Sequence, residues 1–172
     1  MTEVLLFGKP VHLVGEPPRP GEPARDFEVH RFTPDTGLVP VRLADLAAKP
    51  RLLSAVPSLD TPVCSLETKT LDERLAVFGE AVAGYTISLD LPFAQARWCG
   101  AEGVETMQTL SDWKTRSFGT SWGVLTEETQ LLARAVFVLD AAGTVVYTQI
   151  VPEIAHEPQY EPMLAMLESL VG

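Results

Sequence analysis

Asparagine is absent from the 172 residues, lysine occurs four times against nine arginines, and there are only two cysteines and three histidines. Two cysteines are too few for a disulfide-stapled scaffold, and Cys64 and Cys99, with thirty-four residues between them, cannot make a Cys-x-x-Cys metal or dithiol pair. His12, His30 and His156 show no ligand spacing, so no zinc or iron site is expected. Phosphate-loop and dinucleotide fingerprints are missing as well, so no nucleotide cofactor is expected. Positive charge is scarce: thirteen Lys+Arg against twenty-three Asp+Glu leave a net charge of -10, which repels a phosphate backbone or an anionic membrane surface. No apolar run approaches the ~18 residues of a membrane span. The opening Met1-Thr2-Glu3 lacks the basic and apolar regions of a signal peptide, and the cytoplasm is the expected address. The missing asparagine and the 14 prolines fit either heat adaptation or a GC-rich genome; the scarcity of lysine argues against the first.

What is present suits one globular domain over residues 1–172, with 46% hydrophobic residues to fill a core. Val4–Phe7 and Val11–Val14, separated by Gly8-Lys9-Pro10, predict an N-terminal β-hairpin within residues 1–15, its second strand an edge because of Pro10. The proline-rich run from Glu16 to Pro23 predicts an extended connector. Strands at Phe27–Phe32 and Leu38–Val41 flank a turn at Thr33–Gly37, and a short helix is expected over Leu43–Ala48. Beyond it, strands at Leu52–Val56, Tyr85–Leu89 and Ala135–Leu139 alternate with helices over 62–79 and 92–98 and a segment over Asp112–Trp122, the pattern of an α/β fold. A hairpin from Ala135–Leu139 to Val145–Ile150 makes the central sheet mixed, and an apolar-spaced helix closes the chain.

Chemistry concentrates at Pro57-Ser58-Leu59-Asp60-Thr61-Pro62-Val63-Cys64. Thr61 suits an N-cap and Pro62 the first helical position, with Val63, Leu66, Leu71, Leu75 and Phe78 as the apolar face behind them. Cys64 then falls in the first helical turn, where unpaired backbone N–H groups and the helix dipole favour a thiolate over a thiol. A buried structural cysteine satisfies the same pattern, and position alone does not choose between them.

Pro57, Thr61 and Cys64 match the Pro-x-x-x-Thr-x-x-Cys signature of the peroxiredoxins. The run from Asp90 to Gly103, Ala133-Arg134-Ala135-Val136 and the Glu157-Pro158-x-Tyr160-Glu161 stretch resemble the thiol peroxidase branch of that family. The similarity extends over nearly the whole chain. It implies a thioredoxin-like fold and reduction of hydrogen peroxide and alkyl hydroperoxides without a cofactor. Cys64 would be the peroxidatic cysteine, Thr61 a hydroxyl holding thiolate and peroxide, Arg134 a cation favouring the thiolate, and Pro57 a wall limiting water. Cys99 would resolve the sulfenic acid into a Cys64–Cys99 disulfide, with local unfolding eased by Gly100 and Gly103. Thioredoxin as reductant and a homodimer are implied in the same way. Phe93, Trp113 and Trp122 are candidates for an apolar pocket mouth, against the more ordinary reading of core residues. A disulfide reductase would want its cysteines two residues apart, and a redox sensor would be oxidised once without turnover.

Overall fold

The computed structural model describes residues Met1–Gly172. Strands β1 (Glu3–Leu6) and β2 (Lys9–His12) pair antiparallel as a separate two-stranded hairpin. Its turn is Phe7-Gly8, both with positive φ, one residue earlier than the proline suggested. A seven-stranded mixed sheet follows, in the order β4-β3-β7-β6-β5-β8-β9. Its strands are β3 (Glu28–Thr33), β4 (Gly37–Arg42), β5 (Arg51–Ala55), β6 (Ala83–Ser88), β7 (Met107–Ser111), β8 (Ala135–Leu139) and β9 (Val145–Ile150). Helix α1 (Pro62–Ala76) joins β5 to β6, and α2 (Pro92–Glu102) joins β6 to β7, so these three strands run parallel at the centre. Helix α3 (Ser117–Ser121) precedes β8, and α4 (Tyr160–Val171) ends the chain. This is the thioredoxin-like α/β arrangement with its N-terminal hairpin.

Pleating sends alternate strand residues to opposite faces, and the core divides accordingly. On one face Leu53, Ala55, Tyr85, Ile87 and Phe137 pack with Phe118 and Trp122 around α3. On the other, Leu52, Val136 and Val138 meet Leu71 and Leu75 of α1 and Met163 and Leu167 of α4. The site forms on this second face, where β5 hands the chain to α1.

Four elements differ from expectation. Leu43–Ala48 makes only a single 3-10 turn, Leu43–Asp45, fixed by the Asp45 carboxylate accepting the Arg42 N–H at 2.8 Å. Helix α1 stops at Ala76, three residues short. Helix α2 runs to Glu102 and ends on Gly103 in the left-handed conformation (φ 68°), so Cys99 lies inside the helix and not at its end. Strand β7 has no counterpart in the sequence reading, because its side chains alternate between the buried polar Thr109 and Ser111 and the apolar Leu110. Pro162 takes the third position of α4, inside the first turn where a missing N–H costs nothing.

Candidate active site

Cys64 is the third residue of α1, only 1% exposed, behind a Thr61 whose backbone is extended (φ -120°, ψ 150°) as an N-cap requires. The Thr61 side chain does not cap the helix. Its hydroxyl donates back to the Ser58 carbonyl at 2.7 Å, which closes the loop between β5 and α1 and commits the only hydroxyl proton. The first-turn N–H groups therefore remain directed at the sulfur end of the helix without a side-chain oxygen between them.

Arg134, one residue before β8, is 2% exposed and touches three partners. Its Nη2 donates to Cys64 Sγ at 3.3 Å, its Nη1 to Glu67 Oε2 at 2.5 Å, and its Nε to the Ile154 carbonyl at 2.8 Å. Glu67 follows Cys64 by three residues on the same helical face, is fully buried, and accepts a second hydrogen bond from Ser54 Oγ at 2.8 Å. Burial opposes the guanidinium charge, but the Glu67 carboxylate and the Cys64 sulfur outweigh it and hold Arg134 protonated above its ordinary range. The result is a water-poor pocket floor in which a fixed cation lies against a cysteine sulfur.

A cavity of about 390 Å³ opens above this floor. Pro57, Thr61, Pro62 and Val63 line it from the β5–α1 side, Leu131 and Leu132 from the segment before β8, and Leu6 and Phe7 from the hairpin. Pro57, Thr61, Cys64 and Arg134 therefore converge on one cavity.

The proposed aromatic mouth does not. Trp122 is wholly buried, stacked on Phe118 at 5.3 Å and donating its indole N–H to the Arg25 carbonyl at 2.9 Å. Trp113 packs edge-on to His30, and Phe93 edge-on to Phe32. Phe7 is the aromatic at the mouth.

Cys99 lies elsewhere. Its Sγ is 3.6 Å from Thr109 Oγ1 of β7, and burial pushes its thiol up from the ordinary range. Both cysteines are free. The two helices lie over different strands: Val136, Ser54, Thr86 and Thr109 form one row across β8, β5, β6 and β7. Ser54 anchors the Glu67 end of that row and Thr109 the Cys99 end, two strands and thus about 10 Å apart. Between them Thr86 Oγ1 is buried without a hydrogen-bond partner in the protein. Trp98, the residue before Cys99, packs against the small cluster of Val56, Leu59 and Cys64, so α2 touches the pocket through this ring.

Glu67 escaped the sequence reading, although its i+3 spacing from Cys64 was the signal that could have found it. Gly119-Thr120-Ser121-Trp122-Gly123 carries the Gly-x-Ser-x-Gly spacing of a hydrolase nucleophile. It lies on α3 rather than at a strand-to-helix turn, and the Ser121 hydroxyl donates to the Asp26 carbonyl at 3.2 Å, so it builds no second site.

The redoxin family model matches residues 19–164. The thiol peroxidase of Bacillus subtilis (strain 168) is 45% identical over 171 residues, 99% of each chain. The chain belongs to the thiol peroxidase family of redoxins. The thiol peroxidase of Staphylococcus aureus (strain MRSA252) is likewise 45% identical, over 99% of this chain and all of its own. Among solved structures, the peroxiredoxin-like protein of Aquifex aeolicus superposes with a TM-score of 0.87 at 37% identity, over 99% of this chain and 98% of its own. The thiol peroxidase of Chromobacterium violaceum shares the fold with a TM-score of 0.86 at 20% identity, over 97% and 95%.

Proposed function

We infer that this chain is a peroxidase that reduces hydrogen peroxide and organic hydroperoxides at Cys64, on the strength of one observation above the others: the Arg134 guanidinium 3.3 Å from the Cys64 sulfur at a helix start. The Cys64 thiolate attacks the terminal oxygen of the hydroperoxide. An S–O bond forms and the O–O bond breaks, its electron pair leaving on the alkoxide, which takes a proton to become alcohol, or water from hydrogen peroxide. The sulfur is oxidised by two electrons to a sulfenic acid and the peroxide is reduced by two. Arg134 holds a positive charge where negative charge passes from sulfur to oxygen. Thr61, whose own proton goes to Ser58, offers oxygen lone pairs to the hydroperoxide O–H, and Pro57 walls off water.

Cys99 is the resolving residue in this reading. Its thiol attacks the sulfenic sulfur and expels water to leave a Cys64–Cys99 disulfide, and an external dithiol of the thioredoxin type returns both thiols by exchange. A disulfide needs Cα atoms within about 4.4–6.8 Å. Cys64 and Cys99 sit on different helices over Ser54 and Thr109, strand residues about 10 Å apart, so in this reading the Cys99 segment of α2 unwinds to bring the sulfurs together; burial raises the Cys99 thiol above its ordinary range until it does. The supporting setting is one domain over residues 1–172, acting as a homodimer in the cytoplasm. None of the helices is long and apolar enough to cross a membrane.

Intact mass after one equivalent of cumene hydroperoxide tests the scheme. Reduced wild type should lose two hydrogens, and the Cys99→Ser variant should gain one oxygen. No mass change in either would show thiols inert to peroxide and end the proposal.

A further inference from the structure

The turn of the N-terminal hairpin breaks a local rule. A two-residue hairpin loop with both residues at positive φ favours Asn or Gly, yet Phe7 stands at φ 51° before Gly8 at φ 76°. A bulky residue there is strained, and packing does not offset it, since Phe7 is 80% exposed. The conformation is nevertheless held tightly. Glu153 turns its carboxylate onto the loop: Oε1 accepts the Phe7 N–H at 3.0 Å and Oε2 the Gly8 N–H at 2.9 Å. Beside it, Leu5 N–H donates to the Pro152 carbonyl at 2.7 Å and Ile154 N–H to the Leu5 carbonyl at 2.8 Å. The same Ile154 carbonyl accepts the Arg134 Nε–H at 2.8 Å. An exposed phenyl ring is thus fixed at the rim of the Cys64 cavity by a segment that hangs from the arginine of the thiol site.

We propose that Phe7 is a specificity-determining residue, its ring packing against the organic group of a hydroperoxide whose peroxidic carbon carries an aryl or branched alkyl substituent, with Glu153 as the residue that positions it. The proposal rests on the peroxidase reading above and adds the recognition of the leaving group. Hydrogen peroxide has no such group, so Phe7 offers it nothing. The lining supports this division: the buried Cys64 and Arg134 form the cavity floor, whereas the rest is mostly apolar, with Leu6, Phe7, Pro62 and Leu131 beside the two threonines Thr61 and Thr129. A terminal oxygen seated on the sulfur directs the carbon substituent outward, into that lining.

The test is the ratio of second-order rate constants for thiol oxidation by cumene hydroperoxide and by hydrogen peroxide, measured in single turnover on the reduced full chain so that no reductant enters. Phe7→Asn, which suits the left-handed turn, should lower this ratio about tenfold, the discrimination an apolar group in a binding pocket commonly provides, and Phe7→Leu by less. Glu153→Gln, which replaces one of the two accepting oxygens by a donor, should lower the ratio in wild type and have no further effect on Phe7→Asn. An unaltered ratio in Phe7→Asn overturns the assignment, including the case in which both rates fall together because the hairpin has only a structural role. An unaltered ratio with a changed mass on gel filtration reassigns Phe7 to a contact with a second copy of the chain. Additive effects of the two substitutions overturn the positioning role of Glu153. A wild type that reacts with neither peroxide refutes the peroxidase reading itself, whereas a reactive wild type with indifferent variants refutes only this inference.

Discussion

Glu67 and Arg134, sixty-seven residues apart in the chain, meet through a 2.5 Å contact beneath Cys64. A lone guanidinium would not be left unpaired in a site this dry, and a lone carboxylate one turn below Cys64 would repel a thiolate. Together they leave one Arg134 nitrogen for the sulfur and spend the others on Glu67 and the Ile154 carbonyl, which fixes the plane of the guanidinium.

Removing one partner exposes that dependence. Glu67→Gln keeps the shape and an acceptor for Ser54 but leaves a buried cation without its counter-charge, at a cost of about 3–5 kcal/mol of folding stability. Thermal and urea denaturation should show the loss. Stability within 1 kcal/mol of wild type would mean that the pair is not an ion pair in solution.

Arg134→Met retains much of the bulk and removes the charge beside sulfur. The rate constant for Cys64 oxidation by hydrogen peroxide should fall on the order of 10²–10³-fold, as when a preorganised donor is lost from a developing anion. Stopped-flow measurement of the reduced protein decides it, and a fall below threefold would remove Arg134 from the chemistry.

Gly100 lies in the interior of α2 one residue after Cys99, and a Cβ there meets open space. Gly100→Ala should stabilise the helix by about 0.5–1 kcal/mol. If α2 must unwind before Cys99 reaches the sulfenic acid, disulfide formation should slow several-fold while the first oxidation keeps its rate. More Cys64 should then be lost to sulfinic acid at high peroxide, visible as a gain of two oxygens by mass. Unchanged resolution in a measurably more stable variant would show that the helix does not open.

Asp112 supplies a pH dependence. Burial pushes its carboxyl up to about 6, against the opposing pull of the Gly119, Phe118 and Ser117 N–H groups that it accepts. Because the folded pKa lies above the unfolded one, its contribution to stability is fully present below about pH 4 and is lost as the pH rises through about 6, an effect of about 3 kcal/mol for a shift of this size. Asp112→Asn should lower stability overall yet flatten the change in urea-unfolding free energy between pH 7 and pH 5. A variant with the same slope as wild type would assign that slope to other groups.

The legibility of this chain in its sequence depended on how local each signal was. The β5–α1 boundary could be read because Thr61, Pro62 and the apolar spacing of α1 act within one turn of each other, and the family resemblance then connected Cys64 with Arg134 and Cys99. Strand β7 was missed because its pattern mixes Thr109 and Ser111 into the interior, where tertiary partners and not hydropathy decide burial. Nothing in the local sequence around Glu67, between Leu66 and Thr68, marks it for burial; the reason stands sixty-seven residues later, at Arg134. Phe7 was placed in a strand, because a turn at Gly8-Lys9-Pro10 satisfies local rules better than the one that forms.

The row of hydroxyls across the sheet bears on what the proposed unwinding of α2 would cost. A helix seated on leucines would expose oil to water whenever it lifted, and each opening would be opposed by the full hydrophobic penalty. Here the seam between the two cysteine-bearing helices rests on Ser54, Thr86 and Thr109, and the buried Thr86 hydroxyl has no hydrogen-bond partner in the protein. If α2 unwinds as proposed, wetting that seam would satisfy a group the folded protein leaves unpaired, and water would act as a lubricant for bringing the second sulfur to the first.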